Sequence, residues 1–150
     1  MLAAFIIIVF AVAAVGGRLT SFGVGDWYAA LQKPAWNPPS WVFGPVWTAL
    51  YAMIAVAGWM VWVRHAPSAK LALTLWAVQL ALNLAWSALF FYMRQPGWAF
   101  LEIIVLLAAI VATAIAFSRI SPWAGALLIP YIAWVSFASV LNFTIWRLNA

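Results

Sequence analysis

The stretch from Asp26 to Tyr51 reads DWYAALQKPAWNPPSWVFGPVWTALY and connects two long apolar segments. It contains four prolines and four of the twelve tryptophans of the chain. A connecting loop is usually polar, because displaying aromatic surface to water is unfavourable, and proline stiffens the backbone by fixing φ. We therefore expect this loop to fold back as a lid over a pocket embedded in a membrane.

Composition supports a membrane setting. The 150 residues are 69% hydrophobic and only 6% charged, whereas soluble domains carry about 25% charged residues. The net charge of +5 comes from scattered bases without a Lys/Arg run, so the expected partner is the lipid bilayer and not nucleic acid. With no cysteine and one histidine, a metal site is not expected.

Five apolar segments approach the roughly 20 residues that span a bilayer core. They run over Leu2–Phe22, Trp41–Val63, Leu71–Met93, Trp98–Phe117 and Trp123–Trp146. Short loops between the last four segments force antiparallel neighbours. The sequence thus predicts an all-α polytopic membrane protein, a five-transmembrane-helix bundle forming a single domain over residues 1–150. We expect it in the cell membrane of a bacterium.

The first segment has two interpretations. Small residues after an apolar core are typical of a cleaved signal peptide, but no basic residue precedes the core as such a signal requires. A retained helix is favoured, with Arg18 reaching the interface. The positive-inside count gives four basic residues on one side and three on the other, which favours a cytoplasmic long loop by a narrow margin.

The tryptophans divide by depth. Those near segment ends are typical of the interfacial belt; they are Trp41, Trp59, Trp62, Trp76, Trp98, Trp123 and Trp146. Trp47, Trp86 and Trp134 lie deeper, the last roughly 17 Å from either end of its helix. An indole N–H in hydrocarbon needs a partner, so these rings either face a cavity or fill helix contacts.

Chain direction places several side chains in one half of the membrane. The second segment starts at the long-loop face, and the third and fifth end there. The residues that share this half are Trp47, Asn83, Trp86, Phe90, Phe137, Ala138, Leu141 and Asn142. Lys33 lies at the mouth, where its ammonium suits a ligand carboxylate. The sequence therefore predicts one pocket beneath the lid.

Polar residues within the spans are few. Gln79 and Asn83 share a helix face at i, i+4, and either interhelical hydrogen bonding or ligand contact accounts for Asn83. Glu102 is the single acid within a span, four residues past Trp98, and an interfacial position is expected for it. No nucleophile–base pair is visible, so no catalytic residue is assigned.

Three motifs carry a family resemblance. The loop has WYxxLxKPxWxPP from Trp27, the third segment has QLALNxxW from Gln79, and the fifth has PYxxWxxFA from Pro130. This pattern resembles the TspO/MBR family, the tryptophan-rich sensory proteins that include the mitochondrial translocator protein (peripheral benzodiazepine receptor). The resemblance spans essentially the whole chain.

The resemblance implies a five-helix, often dimeric membrane protein that binds protoporphyrin IX and haem as ligands, with no cofactor required. Sterols and synthetic isoquinolines or benzodiazepines are further ligands of the family. The implied pocket is Tyr28, Trp47, Asn83, Trp86, Trp134, Phe137, Ala138 and Leu141, to which chain direction adds Phe90. The family's proposed sterol motif ahead of Arg147 needs a tyrosine where this chain has Phe143, which weakens the expectation of sterol binding.

Three functions follow from the resemblance. The first is a receptor or sensor binding tetrapyrroles in an intrabundle aromatic pocket, with Lys33, Arg18 or Arg94 meeting the ligand carboxylates. The alternatives are a transporter of porphyrins or sterols, and an enzyme that degrades porphyrin under light. The small-residue stripe of Ala77, Ala81 and Ala85 suits a homodimer contact; crosslinking across the Ala81 face tests it, and a solely monomeric protein in mild detergent contradicts it.

Overall fold

The computed structural model describes all residues 1–150 and has five helices, or continuous helical stretches, long and apolar enough to cross a membrane. The helices are α1 (Leu2–Ser21), α2 (Trp27–Ala30), α3 (Ser40–Trp62), α4 (Ala69–Ser87), α5 (Pro96–Ser118), α6 (Pro122–Ala126) and α7 (Ile129–Leu148). A π-helical turn, Ala88–Tyr92, extends α4. The predicted all-α bundle with five membrane-spanning segments is confirmed.

Two irregularities were not expected from hydropathy. The fifth span is divided at Leu127 and Leu128 into α6 and α7, and Pro130 stands in the first turn of α7, where its missing N–H costs nothing. The third span ends in the π turn, a distortion that is often found at functional sites. Both breaks lie within uniformly apolar sequence, and hydropathy does not report backbone geometry.

The packing order explains where space is left inside the bundle. Helix α1 packs against α3 and α4, and α5 packs between α4 and α7, while the far end of α3 is closed by α6. The larger buried apolar cluster, which includes Ile54, Val61, Ile110 and Phe117, lies mostly in the half of the bundle away from the long loop. The half beneath the loop has only a small buried cluster around Phe90.

The tryptophans at the span ends behave mostly as the sequence predicts. Trp41, Trp98 and Trp123 are 74%, 65% and 75% exposed, as an interfacial belt requires. Trp76 is a correction, since it is buried and its indole N–H donates to the carbonyl of Ile54 at 3.0 Å. Gly58 leaves the room for this ring, because a Cβ there would lie 2.9 Å from it.

Glu102 is a second correction. The sequence places this carboxylate at the interface, but both of its oxygens are enclosed by protein and have no hydrogen-bond partner. The side chain begins about 9 Å along α5 from its first residue, and packing of α5 against α4 and α7 closes over it. Glu102 is therefore a buried acid without a compensating group.

Replacing Glu102 with leucine should stabilise the protein. A buried polar group without a partner costs about 1–3 kcal/mol, and leucine removes that cost while retaining most of the volume. We expect a higher thermal unfolding temperature in detergent for Glu102→Leu than for the parent protein. Asp26→Leu at the exposed start of α2 is the control acid and should change little. A lower unfolding temperature for Glu102→Leu would show that the carboxyl has a stabilising partner.

Candidate functional site: an aromatic cavity beneath the lid

A cavity of about 760 Å³ lies in the half of the bundle nearest the long loop. Its walls come from α1, α3, α4 with its π turn, α5 and α7, and segment 26–39, called the lid below, covers it. The sequence-predicted residues that line it are Tyr28, Lys33, Trp47, Asn83, Trp86, Phe90, Trp134, Ala138, Leu141 and Asn142. The convergence expected from chain direction is therefore present in the structure.

Aromatic rings form much of the wall. On α3, Trp47 lies beside Tyr51 with ring centroids 5.4 Å apart. Where α3 faces α7, Phe43 and Trp134 meet edge to face at 5.8 Å. On α4, Trp86 stacks on Phe90 of the π turn at 5.1 Å. Rings in these geometries hold one another in place, so the cavity has firm apolar sides.

A hydrogen-bonded chain crosses the cavity floor. The Tyr51 hydroxyl donates to Asn83 Oδ1 at 2.9 Å, and Asn83 Nδ2 donates to the Tyr131 hydroxyl at 2.8 Å. Tyr131 in turn donates to Gln79 Oε1 at 2.9 Å. Asn83 thus both joins helices and lines the cavity, whereas Gln79 is buried outside it.

A second polar link positions Trp86. Its indole N–H donates to Asn142 Oδ1 at 2.9 Å, and Asn142 Nδ2 donates to the carbonyl of Pro96 at 2.8 Å. The deep indole therefore has the partner that hydrocarbon surroundings demand. Because the link joins α4, α7 and the start of α5, it fixes three walls of the cavity relative to one another.

The lid contacts the bundle at three points along its length. At one end Trp27 packs edge to face on Phe90 with centroids 5.6 Å apart. Near its middle, the backbone N–H of Gln32 donates to Asn149 Oδ1 and Asn149 Nδ2 donates back to the carbonyl of Gln32, each at 2.9 Å. Trp36 contacts Phe137 at 5.8 Å. The lid is therefore closed over the loop end of the cavity.

Tyr28 holds the interior of the lid together. Its hydroxyl donates to Asn37 Oδ1 at 3.3 Å. Burial raises the pKa of this phenol above its ordinary value, an effect that the Asn37 hydrogen bond partly offsets. The group consequently stays protonated at neutral pH and remains a donor. Asp26 occupies the N-cap position of α2, although its side chain makes no capping hydrogen bond.

The three predicted cationic candidates have different positions. Lys33 lines the cavity, where its ammonium donates to the carbonyls of Ala29 and Leu31 at 3.3 and 3.1 Å and lies 4.7 Å from the centre of the Tyr28 ring. Arg18 lies over the ring of Phe22 at 4.9 Å, and Arg94 donates to the carbonyl of Phe22 at 3.4 Å. Neither arginine lines the cavity; both are exposed beside the end of α1.

Phe137 is the one predicted aromatic residue that lies outside the cavity lining. It is rotated about 60° around α7 from Trp134, which turns its ring towards Trp36 of the lid. The sterol-motif residues Phe143 and Arg147 also lie outside the cavity. Phe143 packs on Phe100 at 5.1 Å and is 42% exposed.

Sequence reasoning did not predict that α1 forms a wall of the cavity. Helix α1 contributes Ala13, Gly16, Gly17 and Thr20 to the lining, and Asn37, Phe43, Tyr51 and Phe91 were also not selected. The Gly16-Gly17 pair was the available signal for α1, because glycine in a helix interior costs stability without some packing or functional reason.

Comparison with known proteins places this geometry in a family. A sequence model of the TspO/MBR family matches residues 5–147. A translocator protein from Homo sapiens is 44% identical over 138 residues, covering 90% of this chain and 82% of the relative. A tryptophan-rich protein TspO from Chlorobaculum tepidum is 45% identical over 143 residues, covering 93% and 89%.

A third relative, protein CrtK of Rhodobacter capsulatus, is 35% identical over 141 residues and covers 93% of this chain and 88% of its own length. The match therefore includes the lid, the aromatic walls and the five membrane-spanning segments together. The chain is a multi-pass membrane protein of the TspO/MBR family.

Proposed function

We propose that the cavity binds flat, hydrophobic tetrapyrroles such as protoporphyrin IX or haem, and that the protein acts as a receptor or sensor for them in a bacterial cell membrane. The supporting observation is the cavity itself, about 760 Å³ in volume and walled by Trp47, Trp86 and Trp134 on three different helices. Small-molecule sites occupy about 300–1,000 Å³ and are mostly apolar with few polar groups.

The polar groups of the cavity suit the edge of such a ligand. The indole N–H groups of Trp47 and Trp134 donate to no protein acceptor and are available to a ligand. Lys33 makes only carbonyl hydrogen bonds and a ring contact, which a propionate replaces with a charge-assisted pair. Arg18 and Arg94 stand near the rim for a second carboxylate.

The same apolar chemistry extends the proposal to synthetic isoquinolines and benzodiazepines. Sterols are weaker candidates, because the substituted motif position Phe143 packs on Phe100 at the bundle surface. A homodimer is also proposed, through the outward-facing Ala77 and Ala81 on α4. Small residues at such a face permit close helix approach.

Removing a wall indole should weaken porphyrin binding. Trp47→Ala and Trp134→Ala each lose a stacked aromatic contact worth about 1 kcal/mol or more, so we expect the Kd for protoporphyrin IX to rise about tenfold. The measurement is titration in detergent or nanodiscs, followed by porphyrin absorbance. Trp123→Ala is the matched control, since this indole is 75% exposed and outside the cavity. Equal affinity in all three variants would remove the cavity assignment.

A light-dependent oxidation of porphyrin, with dioxygen as the oxidant, is a second candidate function. It is favoured by the neighbouring Trp47 and Tyr51, two oxidisable rings on the cavity wall. Illumination of the porphyrin complex distinguishes binding alone from enzymatic oxidation. If the protein is an enzyme, a porphyrin product forms under light, and its formation is lost in a Trp134 variant. Bleaching at the rate found with free tryptophan would leave only binding. Transport is the remaining alternative, and reconstituted vesicles with no flux above that of empty vesicles would contradict it.

A further inference from the structure

The cavity reaches the side of the bundle between α1 and α3. Gly17 on α1 and Gly44 on α3 line the cavity and are also exposed on the outer surface. A Cβ built on either glycine would have no atom within 4 Å. The wall at this point is therefore thin, and no side chain fills it.

The two glycines lie at the same end of the α1–α3 pair. Helices α1 and α3 pack side by side, and the pairs Phe5–Trp62 and Phe10–Tyr51, with centroids 6.2 and 6.4 Å apart, show that the two helices are antiparallel. About two helical turns further along each helix from Phe10 and Tyr51, the same faces present Gly17 and Gly44. Each lies about 6 Å from the loop end of its helix, at the depth of lipid chains close to the headgroups.

Packing does not explain these glycines. At Gly58 and Gly125 a Cβ would collide with Trp76 and with Ser118, so those positions require glycine for close contact. Gly17 and Gly44 have open space instead, although glycine in a helix interior costs up to about 1 kcal/mol relative to alanine. Two such costs at the wall of one cavity indicate a use for the empty space.

The other route into the cavity is through its loop end. The loop end of the cavity lies under the lid, which the paired hydrogen bonds between Gln32 and Asn149 hold to α7. Entry from water requires these bonds to break and the contact between Trp27 and Phe90 to separate. A hydrophobic ligand is, moreover, concentrated in the bilayer and not in water.

We propose that Gly17 and Gly44 form a lateral portal through which ligands dissolved in the lipid enter the cavity. The identity of the entering ligand as a tetrapyrrole rests on the function proposed above. The existence of the portal does not rest on that function. The ligand that enters is a flat apolar molecule, and it passes between α1 and α3 while the lid stays closed.

The chain offers a test that needs no natural ligand, because it has no native cysteine. Leu141 lines the cavity and is only 6% exposed, so Leu141→Cys provides a single thiol to be reached through the cavity. The probe is N-(1-pyrenyl)maleimide partitioned into vesicles that contain the protein. Adding Gly17→Leu or Gly44→Leu should slow labelling of this thiol at least tenfold.

Two further variants are needed: a control substitution away from the portal, and a substitution that opens the lid. Gly25→Leu makes the same substitution at an exposed lid-proximal glycine that has open space and does not line the cavity, and it should label at the parent rate. Asn149→Ala loosens the lid. If labelling speeds up in Asn149→Ala but is unchanged in both portal variants, entry is through the lid and the portal is overturned.

Porphyrin kinetics then separate the portal from the proposed function. With a portal, Gly44→Leu lowers both the association and the dissociation rate constants of protoporphyrin IX. A change in the dissociation rate constant alone would be an effect on the bound ligand and would count against the portal. Complete absence of porphyrin binding to the parent protein would end the tetrapyrrole proposal, while the maleimide experiment would still decide the portal. Leucine is a better helix former than glycine, and an unchanged or higher unfolding temperature would verify that the variants fold.

Discussion

Gly23→Ala is expected to lower the free energy of unfolding by about 3 kcal/mol, as overpacking of a tight contact does. Gly23 is buried just after α1, where an added Cβ would collide with the carbonyl oxygen of Phe91 and lie 3.1 Å from its Cα. These are backbone atoms of the π turn, so rotation of a side chain cannot relieve the clash. The end of α1 and the turn must separate.

The same substitution should also disturb the cavity. The carbonyl of Gly23 accepts a hydrogen bond from the backbone N–H of Tyr28 at 2.8 Å, and Phe90 and Phe91 line the cavity from the π turn. Thermal unfolding in detergent and porphyrin titration measure the two effects. Gly25→Ala is the control, because a Cβ there meets open space. An unfolding temperature within one degree or so of the parent value would contradict the close approach of α1 and the π turn.

The second large effect is expected for Asn83→Leu, which retains the side-chain volume but removes the two hydrogen bonds that Asn83 makes in the cavity floor. The Tyr51 hydroxyl loses its acceptor, and the Tyr131 hydroxyl loses the donor Asn83 Nδ2. Interhelical hydrogen bonds in membranes contribute about 0.6–2 kcal/mol each, so the loss should total about 1–4 kcal/mol. Tyr51 should also gain freedom to turn into the cavity.

Thermal unfolding of Asn83→Leu in nanodiscs measures the change. Tyr51→Phe removes only one of the two bonds and should give roughly half the destabilisation. Thr74→Val on the same helix is the exposed control, since its hydroxyl bonds only the carbonyl of Lys70. If Asn83→Leu unfolded at the parent temperature, the floor network would contribute nothing to bundle stability.

The lid, the floor network and the glycine seam form one arrangement. The lid and Asn149 close the water-facing end, the Tyr51–Asn83–Tyr131 chain closes the inner end, and only the α1–α3 seam has a wall without side chains. A cavity built in this way exchanges its contents with the bilayer more readily than with water. This property suits a receptor for ligands that accumulate in lipid.

Much of the cavity lining follows from chain direction. Span length, loop length and the order of segments are local properties, so the sequence alone placed Trp47 and Trp86 in one half of the membrane and Trp134 near its middle. It did not predict that Phe137 lies outside the cavity, that the Glu102 carboxylate is enclosed by protein, or that α1 forms part of the cavity wall. Each of these depends on the rotation of a helix about its own axis.

The sequence by itself determined the number of spans, the aromatic lid and the half of the bilayer that holds the cavity, because hydrophobic length and proline stiffness act along the chain. Only the tertiary structure decided which face of each helix turns inward. In a bilayer the lipid side is as apolar as the protein interior, so hydropathy carries little rotational information and close packing sets the rotation. The seam at Gly17 and Gly44 emerges only once α1 and α3 are in register.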